Sequence, residues 1–212
     1  MKKLLNKVKN YFNLNSEIKE KRLKEILKHG VFVDVESAGL DPELNGILSI
    51  GATTIDCKEY YGECHLYSFQ KAERKALEIN GFTEVKARDM EKDSAHEMVR
   101  LFIEWCRSNN VYYIIGKNSR WDYEMIKYPW DKVFAKDGPK PEPFPLSHRV
   151  IDLTSLAAMA YIKDGIMVSE KGINSSELQK YLGIPDEPKP HDGLTGARYN
   201  RNMLLKLIEK IL

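Results

Sequence analysis

Asp34 and Glu36 stand two positions apart in an otherwise apolar run, Val31-Phe32-Val33-Asp34-Val35-Glu36-Ser37-Ala38-Gly39-Leu40. If the run is a strand, both carboxylates project to one face. Two like charges on a buried strand lose hydration and repel each other, so a divalent cation is their natural compensation. Another acidic group, Asp122, follows a second apolar run, Val111 to Ile115, across Gly116 and Asn118, and falls near a helix start. A third stretch, Pro188-Lys189-Pro190-His191-Asp192-Gly193, presents a histidine and an aspartate where a Pro-rich loop gives way to the C-terminal helix. Together Asp34, Glu36, Asp122 and His191 could build a phosphodiesterase site around two metal ions. Taken singly, each has a blander reading. Asp34 and Glu36 could be a solvent-facing pair on an edge strand, Asp122 a helix cap and His191 a structural histidine.

The elements that must position these groups follow from periodicity. Strands are expected at 31–36, 47–56 and 60–69, the last two close enough for a hairpin. Ser94 and Glu97 form a capping-box pattern, and Met98, Leu101, Phe102 and Trp105 recur at helical spacing, so 94–108 reads as an amphipathic helix with Trp105 in the core. A strand at 111–115 leads to a helix beginning near Asp122. Eight of the nine prolines fall between residues 129 and 190. The densest group, Pro139, Pro141, Pro143 and Pro145, predicts an extended loop, either a spacer or a wall of a nucleic-acid channel. A short strand at Val150 to Asp152 precedes helices at 153–161 and 175–182, the latter capped by Asn174 or Ser175. Strands first, then helices alternating with strands, argue an α/β fold with a central mixed β-sheet flanked by helices.

With 212 residues, 42% hydrophobic and 30% charged, the chain fits one domain and a short appendage. It has no apolar run of membrane-spanning length and no secretory signal pattern, so the expectation is a cytoplasmic protein without a membrane partner. Cys57, Cys64 and Cys106 lack paired CxxC spacing, which argues against a zinc site or disulfide framework. The net charge of +2 hides an asymmetry: residues 1 to 30 carry nine Lys/Arg against three Glu, the rest 24 against 28. This basic, helical arm, with Leu5, Val8 and Phe12 on one side and Leu23 and Leu27 in a second apolar set, could bind phosphates, mediate a homo-oligomer or hold a protein partner. Its lysines could equally be a solvated helix face.

On these motifs the chain resembles the DEDDh 3′→5′ exonuclease superfamily, which includes proofreading exonucleases and ribonuclease T. Residues 31–40 are similar to that family's first motif, an apolar strand running into Asp-x-Glu-(Thr/Ser)-x-Gly-Leu, and 116–122 to its second, Gly-x-Asn-x-x-(Phe/Trp)-Asp. Ile47 to Ala52 resembles its second strand, and Asn80-Gly81-Phe82-Thr83 its short turn. The resemblance implies a ribonuclease-H-like fold, with residues 1–29 as the arm and 30–212 as the exonuclease domain. It also implies hydrolysis at a free 3′ end of DNA or RNA, releasing nucleoside 5′-monophosphates, with two Mg²⁺ or Mn²⁺ ions. Asp34 would bridge both ions, with Glu36 on the nucleophile side and Asp122 on the other. His191 would be the general base toward the attacking water, and Ser37, Gly39, Leu40 and Asn118 would line the terminal nucleotide.

One position breaks the family pattern. The third motif is His, four residues, then Asp, and counting from His191 puts Gly196 where that carboxylate belongs. A tolerated variant, an engineered inactivation and a catalytically impaired protein that binds nucleic-acid ends or scaffolds a partner all fit the text. Asp192, one helical turn earlier, is the candidate substitute ligand, and a helix cap is its other reading. On this view the nucleophile-side metal binds weakly, and Gly196→Asp would tighten it and raise hydrolysis by at least about tenfold.

Overall fold

The computed structural model describes residues 16–134, 143–168, 170 and 172–211. Leu5, Val8, Phe12, Pro139 and Pro141 lie outside them. Helix α1 (Ser16–Leu27) leads into β1 (Gly30–Ser37), which forms an antiparallel meander with β2 (Ile47–Thr54) and β3 (Glu59–His65). The short β4 (Asp93–Ser94) lies parallel beside β3. On the other side β5 (Tyr113–Gly116) pairs in parallel with β1, and β6 (Ile151–Asp152) with β5. The six-stranded order β4-β3-β2-β1-β5-β6 is the expected mixed sheet. β3 stops at His65, short of the predicted 69, because the chain turns at Tyr67, whose carbonyl accepts from the Gln70 N–H at 3.0 Å.

Alternation along β1 divides the core. Val31, Val33 and Val35 face helices α4 (Ala95–Ser108) and α5 (Ser119–Phe134), meeting Met98, Phe102 and Ile126 in one apolar cluster. Phe32 faces the opposite way, into a second cluster with Leu153 and Ala157 of α6 (Leu153–Asp164), Leu178 of α7 (Ser175–Leu182) and Met203, Leu204 and Leu207 of α8 (Gly193–Ile211). Asp34 and Glu36 continue the Phe32 face. Between β3 and β4 lie two short helices, α2 (Arg74–Asn80) and α3 (Glu84–Ala87).

The caps behave as their chemistry requires. Ser94 Oγ accepts from Glu97 N–H at 3.2 Å and Asn174 Oδ1 from Glu177 N–H at 2.9 Å. Trp105 packs between Tyr60 and Phe102, as core. In the Pro-rich segment, Phe144 sets its ring edge against Tyr123 and Trp130 while Leu146 is buried, so the described part of that loop closes the core. Leu27 of α1 is buried against the second cluster, and Leu23 packs beside it. Among the described residues no helix is long and apolar enough to cross a membrane.

Helix α8 reaches the sheet at backbone distance. A Cβ added to Gly51 would stand 1.9 Å from the Gly193 carbonyl carbon, and one on Gly193 would stand 2.8 Å from the Gly51 nitrogen. Any side chain at either position must therefore lift the helix from β2. Gly51→Ala is expected to cost about 1–3 kcal/mol of stability, read as a lower urea midpoint at unchanged slope.

Candidate active site

Three elements converge under α8. β1 carries Asp34, half-buried, and Glu36, only 6% exposed, and its pairing register with β2 shifts just after Glu36. α5 begins at Ser119, earlier than the sequence indicates, so Asp122 lies inside its first turn, 3% exposed. The Val35 N–H donates to Asp122 Oδ1 at 3.1 Å, tying the helix to β1 between the two strand carboxylates. Asn200, buried on α8, donates from Nδ2 to the Val33 carbonyl at 2.9 Å and accepts from the Lys117 N–H at 3.3 Å. This one amide locks α8, β1 and the end of β5 together.

The loop before α8 is held at both sides. The Tyr199 hydroxyl donates to the Asp186 carbonyl at 3.0 Å, and the His191 N–H donates to the Ile79 carbonyl at 3.0 Å. His191 is thereby half-buried in the wall of a cavity of about 590 Å³, within the usual range for ligand pockets. Asp34, Glu36, Asp122, Ser37, Gly39, Leu40 and Asn118 line the same cavity. Leu40 is 79% exposed at its mouth, with its carbonyl fixed by the Trp121 indole N–H at 3.0 Å. Asn80 donates to the Ser37 carbonyl at 2.9 Å, so the last residue of α2 supports the wall.

Asp192 does not line the cavity. Its Oδ1 accepts from the Leu194 N–H at 3.0 Å and its Oδ2 from the Thr195 hydroxyl at 2.9 Å. Asp192 thus takes the helix-cap reading, its Oδ1 pairing a helix N–H that would otherwise lack an acceptor. The vacancy expected at Gly196 is also missing. A Cβ there would lie 2.1 Å from Asp34 Oδ2 and 2.5 Å from its Cγ, so the Asp34 carboxylate occupies that space.

Three groups in the cavity were not singled out by motif. Asn200 looked like one polar residue on an amphipathic helix. Lys117 occupies a variable motif position, and its ammonium pairs with Ser175 Oγ. Glu187 stands in a Pro-flanked loop, yet it lines the cavity and its Oε1 is buried without a hydrogen-bond partner. No local pattern could have flagged Glu187, because the cavity it lines is built by Asp34 and Glu36 of β1 and by Lys117, remote in sequence.

Burial leaves this carboxylate cluster hard to ionise. Desolvation, then the charges of Asp122, Glu36 and Glu187, pushes Asp34 well above the ordinary carboxylate range, against the opposing pull of Lys117. Burial, then Glu187 and Asp192, raises Glu36 to about 7. Burial raises Asp122 to about 8 although the Val35 N–H works against it. Among the described residues no three His, Cys, Asp or Glu side chains form a ready-made metal cage. The donors nevertheless fit a hard divalent cation: carboxylate oxygens facing one cavity, destabilised by each other's charge and including an unpartnered buried Oε1. An ion would supply the charge that draws them together.

A family model described as exonuclease, RNase T type, matches residues 31–202. The chain belongs to the RNase T exonuclease family. Its relatives include the PolC-type DNA polymerase III of Thermotoga maritima, 28% identical over 181 residues, which span 84% of this chain and 12% of the polymerase. Ribonuclease T of Buchnera aphidicola subsp. Baizongia pistaciae is 22% identical over 215 residues, covering 94% of this chain and 91% of that protein. Among solved structures, E. coli exonuclease I in complex with a dA16 oligonucleotide superimposes with a TM-score of 0.63 at 21% identity, over 85% of this chain and 40% of that one. The chain thus spans under half of that exonuclease and about an eighth of the polymerase. The shared architecture is the ribonuclease-H-like exonuclease fold, and members of this exonuclease family typically use divalent metal ions.

The raised carboxylates have a sign in pH. A carboxylic acid whose folded pKa lies above its unfolded value binds more protons when folded, so its contribution to stability is full below the unfolded pKa and is lost as pH rises through the folded one. For Glu36 and Asp122 that window runs from their ordinary values to about 7 and about 8. The metal-free protein should lose thermal stability between about pH 5 and pH 8. Asp34→Asn should raise its midpoint at the alkaline end, at about 2–4 °C per kcal/mol recovered, measured by calorimetry with chelator present. Gly196→Asp must displace Asp34 and adds another negative charge. We expect it to lower the metal-free midpoint and to bring no tenfold gain in Mn²⁺ affinity by titration calorimetry.

Proposed function

We propose that the protein is a metal-dependent 3′→5′ exonuclease that removes nucleoside 5′-monophosphates from the 3′ end of DNA or RNA. The observation that carries this reading is the gathering of Asp34, Glu36, Asp122 and His191, remote in sequence, on one cavity, in a chain of an exonuclease family. E. coli exonuclease I, of the same fold, is described in complex with a dA16 oligonucleotide, which supports a single-stranded end as substrate here.

Two bound divalent ions would supply water activation, stabilisation of the leaving oxygen and absorption of charge on phosphorus. Asp34, Glu36 and Asp122, which line one cavity, would hold these ions, Asp34 being shared, Glu36 serving the nucleophile side and Asp122 the other, as the family resemblance implies. His191 would take the proton from that water on an imidazole nitrogen as the water oxygen attacks phosphorus and the bond to the 3′ oxygen breaks. An imidazole suits this step because its unperturbed pKa is about 6.5. Ser37 and Gly39 would let the terminal sugar approach the β1 backbone, and exposed Leu40, braced by Trp121, would pack on the last base. Asn118, at the positive φ of 60°, would face the same nucleotide.

Lysines of the N-terminal arm would add phosphate contacts upstream of the cleaved bond. Leu27 limits how that is tested, because removing α1 would strip the second cluster of a buried side chain.

The site makes a direct prediction. A 3′-labelled single-stranded oligonucleotide should release labelled mononucleotide only with Mg²⁺ or Mn²⁺. Asp34→Ala and Asp122→Ala should each lower the rate by at least about a thousandfold while leaving the circular dichroism spectrum unchanged, a loss of roughly 4 kcal/mol of transition-state stabilisation. Undiminished hydrolysis by either purified variant would eliminate the two-metal reading. Oligonucleotide binding without hydrolysis by the unaltered chain would favour an end-binding role.

A further inference from the structure

We infer that Glu187 supplies the carboxylate missing at position 196, as a ligand to the cation on the Glu36 side of the cavity. This rests on the metal-dependent exonuclease reading and adds a residue to it. Three observations carry the step. First, the position where a family ligand would stand is closed: Asp34 fills the space that a Cβ at 196 would need, and Asp192 spends both oxygens capping α8. Second, the loop of Glu187 is fixed rather than draped, with the Tyr199 hydroxyl on the preceding Asp186 carbonyl and the His191 N–H on Ile79. Third, Glu187 Oε1 is buried on the cavity wall with no hydrogen-bond partner. Among the described residues no donor reaches that oxygen.

Glu187 shares the cavity with Glu36 and Asp34. Of the charged groups acting on Glu36, Glu187 is the strongest, and it acts on Asp34 as well. Burial raises the Glu187 carboxyl, against the opposing pull of His191 and Lys117, and Asp192 is its like-charged neighbour. An unpartnered carboxylate beside Glu36 and Asp34 costs stability when the cavity holds only protein, and becomes favourable once a hard cation shares it. The carboxylate is thus carried by the loop four residues before His191 instead of by the helix five residues after it. Glycine at 196 and glutamate at 187 then form one arrangement.

The test counts metal ions on the full-length chain at about pH 8, where a cation competes with few protons in solution for the carboxylates. Mn²⁺ binding is followed by electron paramagnetic resonance and calorimetry in the unaltered protein, Glu187→Gln and Asp34→Asn. The unaltered protein should bind two ions, and Glu187→Gln should weaken one of them by at least about tenfold while sparing the other. Asp34→Asn should weaken both. Without metal, Glu187→Gln should melt at or above the unaltered protein, and its Mn²⁺-induced rise in midpoint should be smaller. If Glu187→Gln binds both ions normally while Asp34→Asn does not, Glu187 is no ligand and the metal site stands without it. A lower metal-free midpoint with an unchanged Mn²⁺-induced rise would make Glu187 a structural residue and overturn the inference. Failure of the unaltered protein to bind Mn²⁺ would remove the metal-dependent reading along with it.

Discussion

Helix α8 lies against the sheet at backbone distance, and this contact sets almost everything else about the site. Gly193 meets Gly51 with no room for a side chain, and Gly196 meets the Asp34 carboxylate. Close packing of this kind is rigid, because any added atom must displace a whole helix from a strand. Asn200 then adds direction to proximity. By bonding to both the Val33 carbonyl and the Lys117 N–H, it holds α8 to the strand bearing Asp34 and to the strand end that leads to Asp122.

That rigidity sustains an electrostatically unfavourable arrangement. Asp34, Glu36, Asp122 and Glu187 share one cavity under partial or full burial, and each is harder to ionise than an ordinary carboxylate. The cost is borne by apolar packing on both faces of β1, where Val31, Val33 and Val35 enter one cluster and Phe32 the other. Clusters of raised carboxylates in a cleft are the electrostatic mark of functional sites, because stability alone would remove them. The same repulsion that destabilises the cation-free cavity would favour any divalent cation that enters it.

The pocket wall shows how neighbouring segments serve the site without joining the chemistry. Trp121, one residue before Asp122, holds the Leu40 carbonyl, so the helix that carries a carboxylate also braces the residue at the cavity mouth. Asn80 supports Ser37, and Ile79 in the same helix anchors His191. α2 thereby links the end of β1 to the loop before α8, two segments more than 150 residues apart in sequence. The Pro-rich segment takes a different part: its described residues Phe144 and Leu146 pack into the core instead of walling the cavity.

Alternation in residues 31–36 placed Asp34 and Glu36 on one face, and apolar periodicity with Ser94 and Asn174 caps marked helices that the structure contains, because these patterns depend on local geometry with fixed periods. The order of motifs was enough to bring Asp122 and His191 into the same reading. Other features had no local signature. Asp192 could be a ligand or a cap by sequence, and only the positions of Leu194 N–H and Thr195 Oγ decided for the cap. Gly196 reads as a lost ligand in the chain, whereas in three dimensions its missing Cβ makes room for Asp34. Asn200 acquires its meaning from Val33 and Lys117, and Glu187 from the cavity it lines with β1. Local spacing therefore put Asp34 and Glu36 on one face, while the tertiary approach of α8 decided which groups share the cavity and have space, partners and charge to act on one another.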